Sequence, residues 1–224
     1  MQQGWRDAVN PLAPHGPGIL RPSGTVPEPP LADADTQAVA LVALRALAVL
    51  SGEERPLAAE AAERVAAAFG PEVMAVEADG RPVQGAGSQL GWLRWSGALP
   101  EESVARLADR LCRPDILTPF GLRTLSAQHR QFDPVSYHRG SVWPFDSWLG
   151  WAGLRAAGRE REAEIVRAGV LEALERLGRY PELYAVGPDG PSPIPLSNRV
   201  QAWTVGARWA LRERWDGRPD VLFG

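Results

Sequence analysis

A chain of 224 residues, 45% hydrophobic and 23% charged, has the composition of a soluble globular domain and enough length to bury its own core. A formal net charge of −3 excludes general nucleic-acid binding through a basic surface. No uncharged apolar run reaches the length of a membrane span, since Arg45 breaks the richest one at residues 38–50. The N-terminus lacks the basic and apolar regions of a signal peptide, and the single Cys112 permits no internal disulfide. A reducing cytoplasm is therefore the expected compartment.

In chain order, residues 1–31 are rich in Pro and Gly and read as an irregular lead-in. Apolar residues at helical spacing predict a helix over 35–50, with Asp33 or Asp35 as N-cap and Gly52 as terminator. A second helix is predicted over 56–69, with Pro56 in its first turn and Gly70 past its end. Residues 72–83 alternate around Asp79-Gly80, the signature of a short β-hairpin. A helix opened by Pro100 is expected over 101–111, followed by a long irregular stretch at 113–139. Two helices are predicted over 141–157, with Pro144 in the first turn, and over 160–177, closed by Gly178. A proline-rich loop covers 180–196, and a last amphipathic helix covers 200–215. Helices paired across long loops, almost without strands, indicate a single all-α domain of stacked hairpins: a bundle, a solenoid or an α/α toroid. The absence of a fixed-period repeat weighs against a solenoid.

The loops hold the distinctive chemistry. Nine Trp is a heavy load, and Trp5, Trp92, Trp95, Trp143, Trp148 and Trp151 fall in or beside Gly/Pro-rich segments. Such indoles either plug gaps beneath loops or line a pocket for a flat, polar ligand such as a sugar. His129 and His138 have no Cys or carboxylate at ligand spacing, so no metal is expected. Serine-hydrolase elbows, dinucleotide fingerprints and phosphate loops are also missing, and no cofactor is implied. Carboxylates remain. Glycosidic hydrolysis needs an acid to protonate the leaving oxygen and a base to activate water. Asp7 and Glu182 sit in aromatic, Gly/Pro-flanked loops where a carboxyl group can do this work.

Taken together, these segments resemble a known family. Gln3-Gly4-Trp5-Arg6-Asp7 is similar to the Gln-Gly-Trp-Lys-Asp signature of bacterial amylo-alpha-1,6-glucosidase-type glycogen debranching proteins. Asp35-Thr36-Gln37, Ser88-Gln89 through Trp95-Ser96-Gly97, residues 120–126, residues 137–144, Pro181-Glu182-Leu183 and Gln201-Ala202-Trp203 follow in the family's order. Ala8 stands where the pattern has Ser, Trp92 where His is usual, and Phe145 where Trp is common. The resemblance implies an (α/α)6 toroid and inverting hydrolysis of α-1,6 bonds in glycogen- or maltodextrin-type oligosaccharides. Asp7 matches the general acid and Glu182 the general base. Trp5, Arg6, Gln89, Trp95, Tyr137, His138, Arg139, Trp143, Asp146, Gln201 and Trp203 are the implied substrate-binding residues.

A complete toroid has six hairpins, whereas this sequence supplies about three. Uncovered apolar helix faces then predict self-association or a partner chain that completes the ring. Two further readings stay open: a truncated, non-catalytic carbohydrate-binding or scaffolding remnant, and a toroid hydrolase for another sugar such as trehalose or a mannoside.

Overall fold

A computed structural model describes residues 16–51, 56–97 and 99–217. Seven helices dominate them: α1 (Ala34–Ser51), α2 (Pro56–Ala68), α3 (Gln89–Ser96), α4 (Glu101–Leu111), α5 (Pro144–Ala156), α6 (Glu160–Leu177) and α7 (Ala202–Glu213). α1 packs on α3, α3 on α5 and α5 on α7, forming one row. Behind the row lie α2 on α1, α4 on α3 and α6 on α5. This alternation of inner and outer helices is a partial α/α toroid, as the helix pairing in the sequence leads one to expect.

Local chemistry sets the helix ends. Asp33 caps α1: its Oδ1 accepts from the Thr36 backbone N–H at 2.7 Å and its Oδ2 from the Thr36 hydroxyl at 3.0 Å. The expected terminator of α1, Gly52, lies outside the described residues. Glu101 and Glu102 occupy the first turn of α4, where they complement the helix dipole. Gly178 ends α6 in the left-handed conformation, with φ of 61°. α5 starts at Pro144 instead of 141, because Val142 is drawn into bridges with both Arg123 and Tyr184. α7 starts at Ala202 because Val200 bridges Tyr180.

α1 corrects the sequence expectation about apolar runs. Its 18 residues have a mean hydropathy of 1.4, long and apolar enough by length and composition to cross a membrane. Here it serves as a ring helix. Arg45 reaches past the end of α3 and donates to the carbonyls of Ser96 at 2.6 Å and Gly97 at 3.3 Å.

The structure also adds elements that the sequence does not announce. The expected hairpin forms as β2 (Val73–Glu77) and β3 (Pro82–Gln84). It is joined antiparallel by β1 (Leu31–Asp33), from the edge of the predicted irregular lead-in. Two further hairpins arise within predicted loops: β4 (Leu117–Thr118) with β5 (Gly121–Leu122), and β6 (Tyr184–Gly187) with β7 (Gly190–Pro193). Pro191 and Pro193 are tolerated because β7 is an edge strand. α3, unannounced as a helix, has seven of its eight residues buried, so it shows no polar face for periodicity to reveal.

α3 and α5 cross at glycines. A Cβ on Gly91 would lie 2.4 Å from the Gly150 Cα, and one on Gly153 would lie 2.3 Å from the Gly91 carbonyl oxygen. Around this crossing the main core gathers Leu90, Leu93, Leu122, Leu149 and Trp151 with side chains from α1, α4 and α6.

Candidate active site

The N-terminal ends of the row helices meet. Asp35, Thr36, Val39 and Ala40 from α1, Trp92 from α3, Phe145 from α5 and Trp203 from α7 line one cavity of about 380 Å3. The loops that precede these helices supply the remaining groups.

The loop before α5 builds an aromatic stack. His138 lies parallel to Trp143, with ring centroids 5.1 Å apart and planes 8° apart. Tyr137 stands edge-on to both, at 4.7 and 4.9 Å. The Trp143 indole N–H donates to the Tyr137 carbonyl at 2.9 Å, and the Ser141 hydroxyl donates to the same carbonyl at 2.8 Å. Gly140, at φ 141°, makes this turn possible, and its N–H donates to the Thr124 hydroxyl at 3.0 Å. Trp203 continues the aromatic surface, 6.0 Å from Trp143 and stacked on Phe145 at 5.6 Å.

Glu182 lies in the loop between α6 and β6 and is 3% exposed. Its Oε2 accepts from the Asn198 side-chain amide at 3.1 Å and, more weakly, from the Asn198 backbone N–H at 3.4 Å. Its Oε1 accepts from the Gln201 side-chain amide at 3.1 Å. Among the described residues no cation pairs with it.

The expected site residues lie in different surroundings. Tyr137, His138, Trp143 and Trp203 come together through ring contacts, and Glu182 is joined to Gln201 by a hydrogen bond. Asp146 and Gln89 are buried: an Asp146 oxygen accepts from the indole of Trp92, which lines the cavity, and the Gln89 amide donates to the Gly85 carbonyl at 3.1 Å. Trp95 belongs to the helix core, its indole donating to the Asp216 carbonyl at 2.9 Å. Arg139 is half-buried, and its carbonyl accepts from the Asp133 N–H at 2.8 Å. Trp5, Arg6 and Asp7 lie outside the described residues. Sequence reasoning missed Asn198, for which no motif gave a signal, and Phe145 as part of the cavity wall.

Residues 27–184 match the mannosylglycerate hydrolase MGH1-like glycoside hydrolase domain. The chain belongs to this family. The expected kinship with glycogen debranching proteins is thereby corrected to a different branch of toroid glycosidases. Over 119 residues the chain is 32% identical to the glucosylglycerate hydrolase of Mycolicibacterium hassiacum, covering 50% of this chain and 25% of that protein. The fold is shared with the GH63 mannosylglycerate hydrolase of Thermus thermophilus in complex with glucose, at a TM-score of 0.68 and 22% identity. That likeness covers 82% of this chain and 45% of the Thermus chain. The same Thermus enzyme in complex with Tris and D-glycerate superimposes at a TM-score of 0.66. The chain thus spans less than half the length of these relatives.

Proposed function

We propose that this chain carries the catalytic face of an inverting glycoside hydrolase that acts on a sugar joined to a small hydroxy acid such as glycerate. The observation that carries the reading is Glu182, a buried carboxylate whose two oxygens are held by N–H donors from Asn198 and from Gln201, the N-cap of the helix that bears Trp203. In the reaction, Glu182 takes a proton from water as the water oxygen bonds to the anomeric carbon. Asp7 gives a proton to the departing glycosidic oxygen as the carbon–oxygen bond breaks. In such inverting pairs the two carboxyl groups stand roughly 6.5–9.5 Å apart.

The substrate class draws support from the relatives, which by name hydrolyse mannosylglycerate and glucosylglycerate. The same comparisons favour a mannoside or glucoside of glycerate over an α-1,6 glucan.

The reading includes a helical partner segment that completes the ring. In this reading the segment docks against two grooves of about 370 Å3. One, between α1 and α2, is apolar and lined by Leu41, Leu44, Leu57 and Phe69. The other, at α6 and α7, is lined by Glu175, Arg179, Arg208 and Arg212.

Asp7→Asn and Glu182→Gln test the assignment. Each abolishes glycoside hydrolysis while sugar binding, followed by tryptophan fluorescence, survives. Hydrolysis at the wild-type rate in either variant would show that the acid or base lies elsewhere.

A further inference from the structure

Glu182 is the end point of a hydrogen-bonded frame that reaches well beyond it. The segment 180–184 runs beside 197–201, and the two are laced together. The Glu182 N–H donates to the Asn198 carbonyl at 2.9 Å, and the Gln201 N–H donates to the Tyr180 carbonyl at 2.9 Å. The Ser197 hydroxyl donates to the Leu183 carbonyl at 2.9 Å and accepts from the Leu183 N–H at 3.1 Å. From α7, the Thr204 hydroxyl donates to the Pro181 carbonyl at 2.8 Å. The backbones of Asn198 and Gln201 are therefore fixed relative to that of Glu182.

Their side chains are fixed as well. Gln201 is the N-cap residue of α7, and its Oε1 accepts from the Ala202 N–H at 3.2 Å. That bond assigns the carbonyl end of the Gln201 amide to the helix, so its NH2 end must face Glu182. Asn198 addresses the other carboxylate oxygen with its own NH2. Each carboxylate oxygen can accept about two hydrogen bonds, giving about four acceptor directions in all. Among the described residues three donors reach Glu182: two on Oε2 and one on Oε1. Oε1 thus retains one acceptor direction, which is what a base needs to receive a proton from water.

We propose that Asn198 and Gln201 are positioning residues for Glu182: they fix the plane of its carboxylate and leave Oε1 as the atom that faces the attacking water. The proposal rests on the reading of Glu182 as the base, and it changes the role of Gln201 from sugar contact to support. Misplacing a reacting group by about 1 Å costs up to roughly 100-fold in rate, so loosening this frame should act on kcat.

The test uses the full chain with Asn198→Asp and Gln201→Glu. Both variants keep the side-chain shape, and the second keeps the oxygen that caps α7, while each replaces the donating NH2 with an oxygen. Against a glycerate glycoside, kcat falls roughly 10- to 100-fold while KM stays within about twofold, the signature of a group that acts on the reacting atoms and not on ground-state binding. A rise in KM at unchanged kcat would instead make Gln201 a sugar contact and overturn the proposal. Glu182→Gln is run beside them. If it keeps the wild-type rate, the base assignment falls and the proposal with it. If it is inactive while Asn198→Asp and Gln201→Glu keep wild-type kcat, the positioning role alone falls.

A readout independent of turnover is the pair of side-chain amide resonances of Asn198 and Gln201 in the full chain. Glu182→Ala shifts both if they donate to its carboxylate. Resonances that stay in place contradict the proposal.

Discussion

α3 and α5 at the centre of the row differ from α1 and α7 at its ends, although all four are apolar helices of one repeating architecture. Seven of eight residues are buried in α3 and nine of thirteen in α5, against four of eighteen in α1 and four of twelve in α7. The end helices instead expose apolar stripes: Val39, Ala43, Leu47 and Leu50 on α1, and Val205 and Trp209 on α7. Residues three or four apart on a helix share a face, so each stripe is a continuous exposed apolar surface. Burial in this fold is set by position in the row more than by the composition of any one helix.

The comparison can be broken at the centre first. A methyl group on Gly91 would strike the Gly150 backbone, which cannot swing aside as a flexible side chain can. Gly91→Ala should cost about 3 kcal/mol or more, and Gly91→Val should prevent folding, as read from chemical denaturation.

A smaller effect is expected behind the row. Asp115 accepts from Arg110 at 2.9 Å and from the Ser126 hydroxyl, with both members of the ion pair buried. Burial works to raise the Asp115 pKa, but the hydrogen bonds from Ser126 and Arg110 outweigh it and hold the carboxyl below its ordinary value. A depressed folded-state pKa means the stabilisation is fully present above the unfolded value of about 3.9 and is lost as pH falls through the folded one. Asp115→Ala should therefore cost roughly 3 kcal/mol near neutral pH, with the gap from wild type closing in acid.

The end helices should respond least. Leu47→Ser and Val205→Ser should each change stability by no more than about 0.5 kcal/mol. Both should reduce hydrophobic-dye binding by the full chain, because they remove exposed apolar surface. A large loss of stability from either would show that the stripe is already packed within this chain.

The same contrast governs what the sequence reveals. α4 and α6 are legible to the residue because outer helices keep one wet face, and Pro100 and Gly178 mark their ends. α3 escapes because burial on every side erases the periodic signal. The β6–β7 hairpin is hidden by prolines that an edge strand can accept. In the site, Tyr137, His138, Trp143 and Glu182 are legible from ordered motifs. The burial of Asp146 against the Trp92 indole carries no such mark, because sequence shows residue type without direction. Asn198 is invisible for a related reason: its partnership with Glu182 spans sixteen residues and two loops.

The most direct measurement is product analysis of the full chain incubated separately with glucosylglycerate, mannosylglycerate and an α-1,6-branched maltodextrin. The account predicts release of glycerate from at least one of the first two, lost in Glu182→Gln, and no cleavage of the branched glucan. Glucose release from the branched glucan, with both glycerate glycosides left intact, would contradict it.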